Sequence, residues 1–193
     1  RHHEEGGWRL MLAWIGYIVV CWLVADFIAG FFHWWEDQYA VESWPIIGTL
    51  VAGPNALHHA DQTAFLKGSY WHRNWTTIVP ALTVGIPMTF IFPPSLLMFV
   101  FISQANEIHS WSHRKTSDII LVLQEVGVLC SPLHHSRHHR SPHNVRFCVM
   151  SNWLNPVLDY VRFWSVLEHT AWFTIGVRPR SWSNISDKEG QHG

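Results

Sequence analysis

The chain has 193 residues, enough for one domain, and its 13 Lys and Arg against 14 Asp and Glu leave a formal net charge of −1, which gives no electrostatic reason to propose a nucleic-acid partner. Only 14% of residues are charged, 48% are hydrophobic and gathered in long runs, and 13 Trp and 15 His stand out, a pattern that points to lipid rather than a water-soluble core. Cys21, Cys130 and Cys148 have no paired spacing, so neither a disulfide framework nor a thiolate metal site follows.

Leu10 to Phe32 is a mostly apolar run of 23 residues, about 35 Å as a helix and long enough to span a bilayer. Trp8 precedes it, and Trp34 and Trp35 follow, where interfacial aromatic belts stand. The first residue is Arg1 rather than Met, which leaves room for an upstream segment. Asp26, Gly30, His33 and Asp37 fall at i, i+4, i+7 and i+11, so one helix face carries a carboxylate, a gap, an imidazole and a second carboxylate. Within a membrane segment Asp26 is either functional or a packing group bonded to a neighbouring helix, and Gly30 would let another helix come close.

Residues 38 to 74 read as a polar connection with turn signals at Pro45, Gly48, Gly53 and Pro54, and they hold the pair His58-His59 and, near the next apolar run, His72. Trp75 to Phe92 is apolar but interrupted by Pro80, Gly85 and Pro87, which predicts a kinked span. After Pro93-Pro94, a third apolar segment from Ser95 to Ser110 carries His109, with His113 four residues on. The pair is either two spans or a re-entrant hairpin, and the uncharged loop between charged flanks favours two spans. Three spans then place His33, His58, His59, His72, His109, His113 and the later histidines at one face. Only Arg1 and Arg9 lie opposite the remaining basic residues, so the positive-inside rule makes that face cytoplasmic.

Ser117 or Asp118 can cap a short helix to about Leu129, suited to the interface. Leu133 to His143 then packs five histidines, His134, His135, His138, His139 and His143, into eleven residues. His135, His138 and His139, at i, i+3 and i+4, would share a helical turn closed by Pro142, while Arg137 and Arg140 could meet lipid phosphates. Asn155-Pro156 reads as the start of one helix through about Ile175, stopped by Gly176. The expected architecture is an all-α integral membrane bundle, with interfacial helices carrying a histidine-rich two-metal site: one domain over residues 1–182 and a polar tail over 183–193.

Eight or nine neutral imidazoles exceed what one metal can use, so two metals are the natural count. Imidazole accepts zinc, copper, iron and nickel alike, so ligand type does not choose among them. A metal pair at a bilayer edge sits where an alkyl or acyl chain could reach it from lipid and electrons from water. Unactivated C–H bonds lie beyond side-chain acid or base chemistry, so such a substrate implies redox metal and dioxygen.

Several segments together resemble one family: Ala25-Asp-Phe-Ile-Ala-Gly-Phe-Phe-His-Trp-Trp-Glu-Asp37, Leu57-His-His-Ala-Asp-Gln-Thr-Ala64, Ile108-His-Ser-Trp-Ser-His113 and His135-Ser-Arg-His-His139, followed by Ser141-Pro-His143, Phe147-Cys148 and Asn152-Trp-Leu-Asn155. They resemble the plasmanylethanolamine desaturase family, which includes the plant-type phosphatidylglycerol trans-3 palmitate desaturases; the likeness runs from Val24 to Trp182. The resemblance implies an integral membrane lipid desaturase with a non-haem di-iron centre, consuming dioxygen and two electrons from a cytochrome b5 or ferredoxin type donor. It implies His33, His58, His59, His109, His113, His135, His138 and His139 as metal ligands, with Asp37 as a catalytic ligand or an acceptor orienting an imidazole. His134, His143, Asp26, Glu107 and His72 form a second tier, as ligands or as groups supporting them. Gly68, His72 and Glu107 depart from the plasmanyl pattern, and Gly176 to Trp182 is closer to the plant branch. A plasmanyl lipid becoming a vinyl ether is the leading expectation. An acyl-chain desaturase, a di-iron hydroxylase and a non-catalytic metal or haem carrier are the alternatives.

Overall fold

In the computed structural model, which describes residues 2–183, the first apolar run is the middle of one long helix, α1 (His2–Gln38). No proline occurs before Pro45, so nothing breaks the backbone ladder. The stretch Gly7–Gln38 is the one helix among the described residues long and apolar enough to cross a membrane, at about 48 Å. Leu10, Met11, Trp14, Ile18 and Val20 are exposed on it, a surface suited to acyl chains.

The connection expected to be loop is largely helical. A π-turn (Gly48–Ala52) runs straight into α2 (Gly53–Ala60), where Pro54 occupies the first turn and its missing N–H leaves no bond unmade. A 3-10 turn (Ala64–Lys67) follows. Helix α3 (Tyr70–Ile91) starts earlier than its apolar run, because the Ser69 side chain accepts from the His72 N–H as an N-cap. Pro80 and Pro87 lie inside it without ending it. Helix α4 (Ser95–Ser103) returns against α3 at Gly85, where a Cβ would come within 2.6 Å of the Phe99 ring. It also packs on α1, with Tyr17 donating to the Pro94 carbonyl at 2.6 Å and Trp22 meeting Phe101 edge-on at 5.0 Å.

The third apolar segment is not one helix. The Ser103 hydroxyl bonds back to Val100 O and Gln104 leaves helical geometry, so α4 ends there and α5 (Ala105–Trp111) begins anew. Helix α6 (Asp118–Glu125) stops short of Leu129 because Gly127 turns the chain at φ +80°. Helix α7 (Pro132–His135) covers only the start of the histidine cluster, and His138 and His139 lie on the turn after it rather than in its helix. The single helix expected from Asn155 to Ile175 is two, α8 (Leu154–Tyr160) and α9 (Phe163–Ile175), separated by Arg162 in the left-handed region. Gly176 ends α9 as expected, at φ +72°. Beyond Ser183 the polar tail lies outside the described residues.

What docks on the polar face of α1 is irregular chain, not a helix, with His143 and Arg146 in the left-handed region. Gln38 donates to His143 O, His33 faces Phe147 O, and Asp26 accepts from the N–H groups of Met150 and Ser151 and from the Ser151 hydroxyl, so residues 143–151 run antiparallel along α1. Gly30 makes the approach possible, since a Cβ there would lie 2.6 Å from Cys148 Sγ and 3.0 Å from the Cys148 backbone. Asp26 is thus the packing member of its face, bonded to a loop backbone. Two apolar clusters flank this seam, one built on Ala25, Ile108, Leu129 and Met150, the other on Trp34, Phe147, Cys148 and Trp164.

Candidate metal centre

At the end of α1, His33 and Asp37 stand one turn apart, both buried. The His33 Nδ1 lies 3.1 Å from Phe147 O, and the His138 Nδ1 lies 2.9 Å from Val145 O. A carbonyl can only accept, so each Nδ1 carries the hydrogen and each Nε2 presents a lone pair. Those two Nε2 atoms, and the Oδ2 of Asp37, are buried without a hydrogen-bond partner. They nevertheless face one another, Asp37 Oδ2 lying 3.1 Å from His138 Nε2 and 3.7 Å from His33 Nε2. With His59, whose Nε2 is 2.9 Å from Asp37 Oδ1, they form a set in which one ligand atom from each residue lies within 4.8 Å of every other.

Beside it lies a second set meeting the same limit: His58, His109, His113, His135 and His139. His135 Nε2 lies 2.8 Å from His109 Nε2 and 2.9 Å from His139 Nε2, and His109 Nε2 lies 3.1 Å from His113 Nε2. Both ring nitrogens of His58, and the Nδ1 atoms of His135 and His139, are buried without partners. Burial and neighbouring imidazoles push His58 down to about 2 and His113 to about 4, and hold His135 and His139 well below the ordinary histidine range. All are therefore neutral at physiological pH, the state that donates to a metal.

Local geometry explains how four short motifs build two sets. Successive residues on a helix point about 100° apart, so on α2 His58 faces the five-imidazole set and His59 the aspartate set. The end of α7 and the turn after it divide in the same way, with His135 and His139 on one side and His138 on the other. The sets adjoin, since the His33 ring is 4.4 Å from that of His138 and 5.6 Å from that of His109. An array of buried, unprotonated nitrogens with one carboxylate and few donors is unfavourable by itself and fits two transition-metal cations.

All eight leading histidines and Asp37 are brought together in this way; the second tier is not. Asp26 is held by residues 150–151. Glu107 pairs with Arg73 at 3.1 Å and with Arg114, and accepts from Asn74, tying α5 to α3. His72 is exposed at the start of α3. His134 is bonded to Arg146 at 2.8 Å and Asn155 at 3.0 Å, and burial beside Arg146 and Arg137 lowers it to about 4. His143 joins neither set, though its ring lies 4.6 Å from that of His59. Arg137 and Arg140 are exposed. Sequence reasoning missed Asn55, which donates to Asp37 Oδ1 at 2.6 Å, and Arg180, which donates to the carbonyls of Asp37 and Ala40 at 2.7 and 2.5 Å. Asn55 had a signal, four residues before His59 on one helix; Arg180 had none.

Residues 22–182 match the lipid desaturase domain family, a stretch that contains every residue of both sets. The chain belongs to this family. The chain is 30% identical over 186 residues to the plasmanylethanolamine desaturase of Myxococcus xanthus, covering 91% of this chain and 65% of that protein. It is 32% identical to plasmanylethanolamine desaturase 1 of Mus musculus, covering 82% of this chain and 65% of that protein. Fatty acid desaturase 4, chloroplastic, of Arabidopsis thaliana is 31% identical, covering 84% of this chain and 53% of that protein. The domain thus spans between about half and two thirds of the length of these relatives. No solved structure matches it.

Proposed function

We propose that this lipid desaturase domain holds two irons, one in each set, and introduces a double bond into the alkyl or acyl chain of a membrane lipid. The observation that carries the reading is the pair of adjoining orphaned ligand sets at the end of a membrane-length helix. Imidazole-rich sites with one carboxylate suit iron among several metals, and membership of a desaturase family supports that choice. Bound iron would supply the dioxygen chemistry that an unactivated C–H bond requires: one O2, two external electrons and two protons accept the two hydrogens removed from neighbouring carbons, giving one alkene and two waters. The chain's own part is to hold the ligands. Phe147 O and Val145 O fix the tautomers of His33 and His138, and burial keeps His58, His113, His135 and His139 neutral.

The lipid is a plasmanyl phospholipid becoming a vinyl ether, the activity named for two relatives; an acyl chain is the second reading, favoured by the likeness to fatty acid desaturase 4. The electrons come from a cytochrome b5 or ferredoxin type carrier. The domain crosses the bilayer through α1 and through the α3–α4 hairpin continued by α5, three passes in all, α4 alone being too short at nine residues. Supporting this, the hairpin tip bonds to α1 at Tyr17, about 24 Å along α1 from His33, and its Phe90, Ile91, Phe92 and Leu96 are uncharged and exposed. The metal sets lie at the cytoplasmic face, since the basic residues other than Arg1 and Arg9 fall at their end of the spans.

Metal analysis of the purified full chain tests the central element. About two irons per chain are expected, and about one after His138→Ala, which removes a donor from the four-residue set alone. An active wild-type preparation without iron would overturn the proposal.

A further inference from the structure

The carboxylate of Asp37 has to present one oxygen to its set and not the other, and its own torsion does not ensure this, because the terminal χ2 of Asp is broad and nearly two-fold. Oδ2 faces the lone pairs of His138 and His33. Oδ1 is held by Asn55, whose Nδ2 donates to it at 2.6 Å, and His59 Nε2 lies 2.9 Å away. Asn55 and His59 are i and i+4 on α2, so one face of one short helix presents both the donor to Asp37 and a member of its set. Asn55 also stands on the wall of a cavity of about 430 Å³ that reaches Asp37, His59, His143 and Arg180, the open side toward which an unrestrained carboxylate could swing. Arg180 meanwhile holds the Asp37 backbone carbonyl.

The geometry points to Asn55 as a positioning residue for the metal of the aspartate set: its amide holds Asp37 Oδ1 and leaves Oδ2 as the single donor atom. This role rests on the two-metal reading and adds to it a residue that no histidine motif contains. An amide N–H to a carboxylate is a charge-assisted bond of the stronger class, and loss of a partner that orients a ligand typically weakens metal binding about 10–100-fold.

The test is a Co2+ titration of the metal-free full chain in detergent, followed by visible absorption and by metal count. Wild type binds two Co2+. Asn55→Ala and the near-isosteric Asn55→Leu, which fills the same space without a donor, both bind one of the two equivalents about 10–100-fold more weakly while the other is unchanged. Three results overturn the role. These are wild-type affinities for both ions in either variant, weakening in Asn55→Ala but not Asn55→Leu, which would assign the effect to packing, and loss of both equivalents together with the helical circular dichroism. A wild-type chain that binds fewer than two Co2+ would instead remove the two-metal reading itself, and the role of Asn55 with it.

Discussion

At Asp37 Oδ2 a carboxylate oxygen faces two imidazole lone pairs with no donor to satisfy them, and that contact sets the character of the whole centre. The same logic applies to protons. Burial lowers His58 to about 2, His113 to about 4 and His134 to about 4, whereas an unfolded histidine titrates near ~6.5. Between about pH 4 and 6.5 these three histidines bind protons in the unfolded chain that they do not bind in the folded one, so their contribution to stability rises with pH through that window and is lost as pH falls. Each fully shifted group contributes up to about 1.4 kcal/mol per pH unit. The thermal midpoint of the metal-free domain in detergent is therefore expected to drop steadily from about pH 6.5 to about pH 4.5. A flat midpoint across that range would contradict neutral burial of the imidazoles.

At the scale of elements, the seam between α1 and residues 143–151 delivers the Phe147 and Val145 carbonyls to His33 and His138. Gly30→Ala should unseat that seam, since the added methyl meets Cys148 at 2.6 Å. A loss of about 1–3 kcal/mol is expected, visible as a lower thermal midpoint together with weaker binding in the aspartate set; an unchanged midpoint would contradict the docking. The periodicity of Asp26, Gly30, His33 and Asp37 made this face legible in the sequence, and the four histidine motifs made the ligand candidates legible. What packs on the face was not legible, because an irregular segment bonded to a helix through side chains has no hydrophobic period of its own. The break at Arg162 was hidden for a related reason: a non-glycine residue in the left-handed region carries no sequence mark. The division of adjacent His58 and His59 between two sets follows from α2 being a helix, which its Gly53-Pro54 start had suggested to be a turn.

At the scale of the molecule, α1 carries an apolar surface at one end and half the aspartate set at the other, so the candidate metal centre stands at the end of a helix long enough to cross a membrane. Cys21, Cys130 and Cys148 are buried, so introduced thiols can report sidedness. Arg9→Cys should react with a membrane-impermeant maleimide in intact cells, and Arg140→Cys only after the cytoplasmic side is opened. Labelling of both from one side would contradict a crossing by α1. The most direct test of the central claim is mass spectrometry of lipids from a desaturase-null host expressing this protein, beside His138→Ala. The account predicts oxygen-dependent loss of two hydrogens from a lipid alkyl or acyl chain in the wild type and none in the variant. Addition of an oxygen atom instead, or an unchanged lipid profile with iron-loaded protein, would contradict it.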